Sequence, residues 1–261
     1  MNIMVPCPKA EKARSLKDLE TTSVASETAT LFGNDLTRQA EIEGRPIPYI
    51  VTRCIEEVES QGMDYEGIYR KSGGASSLRA IIDAFEAGGE VNFDNLVGSG
   101  DICAVTSALK QYLRTLPDPL LPYASYDRFL QASTGNDTHL RMAKFKGVLD
   151  TLPKVNYDSM SLLCQHLSRY SLTGQFFLNI RIVARSDVNL MSAQNLAVVF
   201  SPTIMRDKDG TRQIMDMQAT GACVKFLIEH ANALFTMRKP SLSIDRSVGT
   251  GAISARIRDR I

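Results

Sequence analysis

The sequence predicts an all-α protein, a single-domain bundle of about eight or nine helices. Apolar residues recur at helical spacing in one segment after another, and no segment shows the convincing alternation of a half-buried strand. The chain has 261 residues, 44% of them hydrophobic, which allows a sizeable core in one or two domains. Because helix follows helix without a visible internal repeat, we expect one domain.

Composition changes at both ends of the predicted domain. Residues 1–30 are rich in Lys, Glu, Ser and Thr and have little apolar periodicity, so we expect them to be mostly disordered. After Lys239 the chain is dominated by Ser, Gly and Arg, and residues 240–261 are predicted to form a flexible basic tail. The helical domain is therefore expected to cover residues 31–239.

Loops separate three amphipathic helices in the first half of the domain. The first is predicted over residues 46–61 and the second over residues 76–87, each with one apolar stripe and a glycine just after its end. The third begins after Asp101, whose carboxylate is suited to cap it. We expect residues 65–74 and 92–100 to form loops.

Prolines and capping residues divide the second half. Three prolines within residues 116–122 predict an extended turn whose leucines point inward. Ser192 is a suitable N-cap for the helix that follows it, and Ser201-Pro202-Thr203 is expected to end that helix. The predicted helices of this half cover, in order, residues 126–130, 140–152, 156–169, 193–200 and 218–237.

Charge and cysteine usage exclude several classes of function. A formal net charge of +1 gives no support to nucleic-acid binding or to attachment at an acidic membrane surface. No apolar run approaches the ~18 residues of a membrane span. The five cysteines are widely spaced and form no C-x-x-C, so we expect neither a disulfide framework nor a zinc site. A reduced, cytoplasmic compartment fits this usage.

One predicted loop places an arginine directly after two apolar residues that are expected to be buried. Residues 65–74 contain glycines near both ends, and Ile68 and Tyr69 are expected to anchor the loop in the core just before Arg70 and Lys71. A guanidinium held in this way suits a phosphate or a carboxylate, because its donors form a fixed planar fork. The residues alone leave open a second interpretation, a surface turn whose arginine is simply solvated.

The usual signatures of catalysis are absent from the sequence. It contains no G-x-x-x-x-G-K-[ST], no G-x-S-x-G and no H-E-x-x-H, so we expect no catalytic base, nucleophile, metal or cofactor of its own. What remains is a set of basic and amide side chains on predicted helix edges and loops, which could bind an anionic site on a partner or could be solvated. The set comprises Arg70, Lys71, Lys110, Arg114, Asn195 and Arg206.

Three blocks of sequence carry a resemblance to a known family. Residues 67–73, GIYRKSG, resemble the G-[IVF]-[FY]-R-x-S-G loop of Rho GTPase-activating (RhoGAP) domains. Residues 109–120, LKQYLRTLPDPL, resemble the L-K-x-[FY]-L-R-x-L-P-x-P-L block of that family, and residues 195–202, NLAVVFSP, resemble its N-L-A-x-V-F-x-P block. The blocks occur in the order found in the family, over residues 31–239.

The resemblance implies an all-helical fold and a mechanism that depends on a partner. A RhoGAP domain stimulates GTP hydrolysis by inserting an arginine finger in trans into a GTP-bound Rho-, Rac- or Cdc42-type small GTPase. Such a finger is worth roughly 10³–10⁵ in rate, or about 4–7 kcal/mol. By resemblance Arg70 is the finger, and GTP and Mg²⁺ belong to the partner. We therefore expect a monomeric activator rather than an enzyme; the alternative is a module that binds Rho GTPases without activating them.

The resemblance also assigns a set of GTPase-binding residues around Arg70. Arg114 is expected to brace the finger loop, Lys110 to meet the GTPase, Asn195 to hydrogen-bond its switch region and Pro202 to shape that edge. The complete set is Lys71, Lys110, Arg114, Asn195 and Pro202.

One segment departs from the family spacing. In RhoGAP domains the H-L-x-R pattern, here at residues 166–169, runs almost directly into S-D-x-N, here at residues 186–189. Residues 170–181 are therefore interpreted as an insertion, arising from a gene-model or splicing artefact or marking a destabilised variant. As a helical extension they would lengthen the helix by ~18 Å and rotate the downstream apolar stripe by ~120°. We expect their deletion to raise the melting temperature.

Overall fold

The computed structural model describes residues 30–97, 101–168 and 182–235, and every regular element within these ranges is helical. Nine α-helices of eight residues or more form the body of the domain: α1 Leu36–Glu43, α2 Tyr49–Glu57, α3 Ala75–Glu86, α5 Ile102–Thr115, α6 Tyr126–Ser133, α7 Thr138–Leu149, α8 Lys154–Leu167, α10 Ala193–Ile204 and α11 Met217–Glu229. Three shorter helices complete the set: α4 Phe93–Val97, α9 Ser186–Asn189 and α12 Ala231–Leu234. The predicted all-α bundle is confirmed.

Three helices lie where the sequence predicted none. α1 is mostly polar, and only Leu36, Gln39 and Ala40 are buried, so it has almost no apolar periodicity to reveal it. It is defined by its ends, because the Asp35 carboxylate accepts two backbone N–H groups and Gly44 closes the helix in the left-handed conformation. The second, α4, is a five-residue helix within the predicted loop 92–100, and the third, α9, is a four-residue helix before the predicted N-cap Ser192.

The first predicted helix changes geometry before it ends. Residues 49–57 are α-helical, but Val58–Gly62 form a π-helical turn. A π turn is rare and occurs most often as a single widened turn, frequently at functional sites. This one directs Glu59 to α8, where its carboxylate meets the imidazole of His166.

The prediction that Ser201-Pro202-Thr203 ends its helix is wrong. α10 continues through Pro202 to Ile204. Proline removes one backbone donor from the helix, but Ser201, Thr203 and Ile204 in this last turn are buried. Their packing stabilises the two residues of helix that follow the proline. The last predicted helix, 218–237, is instead divided at His230 into α11 and α12.

The core is organised around α5. Nine of its residues are buried, and α2, α3 and α10 all pack against it. A second layer joins α6, α7 and α11, in which the rings of Phe145 and Phe226 stack with centroids 4.7 Å apart. Four described cysteines are free and buried in this core, and burial raises the pKa of the Cys54, Cys164 and Cys223 thiols. Among the described residues, no helix is both long and apolar enough to cross a membrane.

The predicted disordered segment, the basic tail and the insertion 170–181 lie outside the described residues. The flanks of the insertion are described. α8 ends at Leu167, and the backbone of Ser168 is extended. Beyond the gap, Ile182, Met191 and Phe200 are fully buried. The downstream apolar stripe therefore reaches the core in register.

Candidate functional site

The Arg70 loop, residues 65–74, is held at its start by a distant segment. The Gly67 N–H donates to the Asn189 carbonyl at 2.8 Å, and Gly67 has a φ of 73°, which favours glycine. The Asn189 side chain in turn donates to the carbonyls of Met63 and Ile182, both at 2.9 Å. The side-chain amide of the buried Asn189 therefore joins Met63, just before the Arg70 loop, to Ile182, the first described residue after the gap at residues 169–181.

At the centre of the loop, Tyr69 is buried in an unusual conformation. Its φ is 69°, in the left-handed region that a large side chain rarely adopts. Such a conformation costs about 1–3 kcal/mol and persists only when surrounding contacts compensate for it. Here the ring is fully buried beside Phe200, the carbonyl accepts a hydrogen bond from the Lys110 ammonium, and the hydroxyl pairs with His166.

At its other end the loop lies directly against α5. A Cβ added to Gly73 would stand 2.2 Å from the backbone nitrogen of Ala104, so glycine is required by space. The Gly73 N–H donates to the Ser107 hydroxyl at 3.3 Å. The Asp101 carboxylate accepts from Gly74 N–H at 2.8 Å while it caps α5 through Ala104 N–H. Both ends of the loop are therefore fixed.

Arg70 itself points away from this framework. Its backbone N–H donates to the Gly67 carbonyl at 2.9 Å, which closes a tight turn directly before the side chain. The side chain is exposed, and it makes no hydrogen bond or ion pair with any described residue. Lys71 differs, because its ammonium turns back to Glu66 at 3.4 Å and lies over the Tyr65 ring. The loop thus presents one uncommitted guanidinium.

Two basic residues on α5 have different surroundings. Lys110 is partly buried and braces the Arg70 loop through the Tyr69 carbonyl. Burial, and then the neighbouring Arg114, lower the pKa of Lys110. The Arg114 guanidinium is exposed and has no hydrogen bond to the loop in the described chain, so the bracing contact belongs to Lys110. Arg206 donates to the carbonyls of Arg114 and Leu116, and in this way holds the end of α5.

The start of α10 forms the other side of the site. The Asn195 side chain donates to the Leu190 carbonyl at 3.0 Å, and its Oδ1 accepts no hydrogen bond from the residues described. Asn195, Val198 and Pro202 lie at i, i+3 and i+7, on one face of the helix. Val198 is 63% exposed and the nearby Leu190 is 49% exposed. This face combines a free amide oxygen with exposed apolar side chains.

The structure connects the two sides of the predicted site. Arg70 lies three residues after Gly67, whose N–H donates a hydrogen bond to the Asn189 carbonyl. Leu190, the residue after Asn189, accepts a hydrogen bond from the Asn195 side chain. Sequence reasoning missed Val198 and Leu190. The sequence signal for Val198 was its helical spacing from Asn195 and Pro202. No local pattern marked Leu190.

Chemically, the arrangement offers charge and hydrogen bonds, and it offers no reacting group. Within residues 30–97, 101–168 and 182–235, no group of three or more His, Cys, Asp or Glu residues could hold a metal ion. The sequence pattern of the RhoGAP domain matches residues 48–209, which include the Arg70 loop, α5 and α10. The chain belongs to the RhoGAP family.

Individual relatives agree with this assignment. Rho GTPase-activating protein 15 of Gallus gallus is 32% identical over 222 residues, which cover 85% of this chain and 44% of that protein. Beta-chimaerin of Mus musculus is 32% identical over 203 residues, which cover 77% of this chain and 58% of that protein. The RhoGAP chain thus spans about half the length of these two relatives.

A solved structure supports the same fold. The crystal structure of human Rho GTPase activating protein 15 superposes with a TM-score of 0.72 and is 31% identical. The match covers 86% of this RhoGAP chain and 100% of that one. The BH domain from GRAF, the GTPase regulator associated with focal adhesion kinase, matches with a TM-score of 0.61 at 29% identity.

Proposed function

We propose that this RhoGAP domain accelerates GTP hydrolysis by a Rho-family GTPase, and that Arg70 enters the active site of the GTPase as the finger. The observation that carries the proposal is the exposed, unpaired Arg70 guanidinium on a loop fixed at both ends. In phosphoryl transfer, charge accumulates on the phosphate oxygens, and a planar cation supplied from a second protein neutralises it. Little entropy is lost when the finger is already in place.

The surroundings of Arg70 suit a protein partner that brings its own nucleotide. GTP and Mg²⁺ are assigned to the GTPase, and no base or metal is assigned to the RhoGAP domain. Lys110 holds the backbone directly before the finger. Arg114 and the Asn195 amide oxygen are available to polar groups of the partner, and Val198 with Pro202 offers an apolar face.

Replacement of Arg70 tests the proposal. We expect Arg70→Ala to reduce stimulated hydrolysis by roughly 10³–10⁵, because the transition-state charge is then left to the GTPase alone. Arg70→Lys should recover little, since an ammonium lacks the planar fork. The measurement is single-turnover phosphate release from GTP-loaded Rho, Rac and Cdc42. Arg79→Ala, an exposed arginine on α3, is the control and should leave the rate unchanged.

The same experiment separates the alternative, a module that binds without activating. That function predicts binding to the GTP-loaded GTPase with no acceleration by the unaltered chain. Equal acceleration by the unaltered chain and Arg70→Ala would instead refute the assignment of the finger.

A further inference from the structure

We propose that His166 is a positioning residue for Arg70, that it acts through the Tyr69 hydroxyl, and that Glu59 fixes the orientation of its imidazole. The proposal rests on the function proposed above. It adds to the site a relay of three side chains, drawn from the π turn, the Arg70 loop and α8, in which Tyr69 and His166 are fully buried and Glu59 is partly exposed.

The relay consists of two short hydrogen-bond contacts, one of them between fully buried side chains. The Tyr69 hydroxyl lies 2.7 Å from His166 Nε2, and both side chains are fully buried. His166 Nδ1 lies 2.9 Å from a carboxylate oxygen of Glu59. The tyrosine and imidazole rings meet edge to face with centroids 5.8 Å apart. Contacts at these distances on both ring nitrogens leave the imidazole little freedom to rotate.

For a neutral imidazole, the chemistry of the partners determines which atom donates. A carboxylate accepts hydrogen bonds, so the Nδ1–H of a neutral His166 donates to Glu59. Its Nε2 then carries the lone pair and accepts from the Tyr69 hydroxyl. Burial, with the nearby Cys54 and Glu59, raises the pKa of Tyr69 well above its usual value, so the hydroxyl keeps its proton. Every donor in the relay therefore faces an acceptor.

The relay bears on catalysis because Tyr69 directly precedes Arg70. The left-handed backbone of Tyr69 is retained only while contacts hold it, and the hydroxyl bond is one of these contacts. Without this contact, the buried Tyr69 ring would lose its hydrogen bond to His166, and the loop would populate conformations in which Arg70 points elsewhere. The finger acts in the transition state, so the loss should fall on kcat rather than on binding of the GTPase.

The variant Tyr69→Phe tests this inference, since it removes the hydroxyl and keeps the ring. We expect kcat for GTP hydrolysis at saturating RhoGAP domain to fall by about 3- to 30-fold. The KM for the GTPase and the affinity for GTPase loaded with a non-hydrolysable analogue should change by less than about 2-fold. An unchanged kcat would overturn the positioning role.

The same substitution in the Arg70→Ala background distinguishes positioning from a general structural effect. If Tyr69 acts through the finger, Tyr69→Phe has no further effect once the guanidinium is gone, so the two changes are not additive. An equal fold-loss in both backgrounds would contradict the proposal. A wild-type chain that gives no acceleration would overturn the proposed function itself, whereas normal acceleration with an unaffected Tyr69→Phe overturns only the relay.

A matched pair at His166 provides a second readout. His166→Gln keeps a polar group near Nε2, the partner of Tyr69, whereas His166→Asn keeps one near Nδ1, the partner of Glu59. We expect His166→Asn to lower kcat more than His166→Gln, and equal losses would contradict the role of the hydroxyl bond. The same two changes at His139, exposed on α7, serve as controls and should have no effect.

Discussion

At the scale of single residues, Gly73 shows how closely the Arg70 loop approaches α5. The backbone of the loop touches the backbone of the helix there, so neither side can give way as a flexible side chain could. This approach brings Gly73 N–H to Ser107 and Gly74 N–H to Asp101. The position of Arg70 therefore depends on a residue whose contribution is the absence of a side chain.

We expect Gly73→Ala to destabilise the domain by about 1–3 kcal/mol and to lower GTPase stimulation, because the added Cβ must push the loop away from α5. Denaturant unfolding and single-turnover hydrolysis measure the two effects. Gly147→Ala is the matched control, since no atom lies within 4 Å of the added Cβ on α7. It should stabilise the domain by about 0.5–1 kcal/mol. A Gly73→Ala variant as stable as wild type would contradict the close approach.

At the scale of elements, the end of α5 is held by an arginine from the segment after α10. Arg206 donates to the Arg114 carbonyl through one nitrogen and to the Leu116 carbonyl at 2.6 Å through another. The last carbonyls of a helix have no partner within it, and the helix dipole is negative there, so a forked cation suits the position. This contact joins α5, which carries Lys110 and Arg114, to α10, which carries Asn195.

We expect Arg206→Lys to lower the free energy of unfolding by about 1–2 kcal/mol, because one ammonium cannot reproduce two charged hydrogen bonds of fixed geometry. Thermal or denaturant unfolding is the measurement. Arg79→Lys is the control, since its pair with Asp83 is exposed on α3. That change should cost less than about 0.5 kcal/mol. Equal losses of unfolding free energy for the two substitutions would contradict a stabilising role for the forked Arg206 contact at the end of α5.

At the scale of the whole molecule, the candidate site draws on chain segments that lie before and after the predicted insertion. α8 supplies His166 before it, and residues 182–204 supply Asn189, Phe200 and Asn195 after it. The segments on both sides contact the Arg70 loop, through His166 and Asn189 respectively. The site is thus assembled from parts that lie on either side of residues 169–181.

Deletion of residues 170–181 is expected to raise the melting temperature. A shorter connection loses less entropy on closure, and a gain of about 1 kcal/mol corresponds to about 2–4 °C for a domain of this size. Calorimetry measures the change. A variant of full length with polar residues at the apolar positions 176–178 separates the effect of length from that of composition. An unchanged or lower melting temperature after deletion would contradict this prediction.

Local pattern was sufficient to predict most of the helices, and it named the residues of the candidate site. The stripes of α2, α3 and α5 follow from spacing alone, and Asp101 and Ser192 cap the helices as their side chains indicated. Where a helix was defined by its ends or by distant packing, as in α1 and the last turn of α10, periodicity gave no adequate signal. Arg70 was identified from its block of sequence, while its exposure and lack of partners required the fold.

The sequence by itself determined the helical class, because spacing and capping act within one or two turns, and its three family blocks named the residues of the candidate site. Only the tertiary structure decided how these residues meet. His166 lies 97 residues from Tyr69, and Arg206 lies 92 residues from Arg114. Such pairs depend on how helices pack, and no local spacing encodes that packing. The left-handed backbone of the buried Tyr69 also depends on tertiary packing, because contacts from α5, α8 and α10 hold this residue in place next to Arg70.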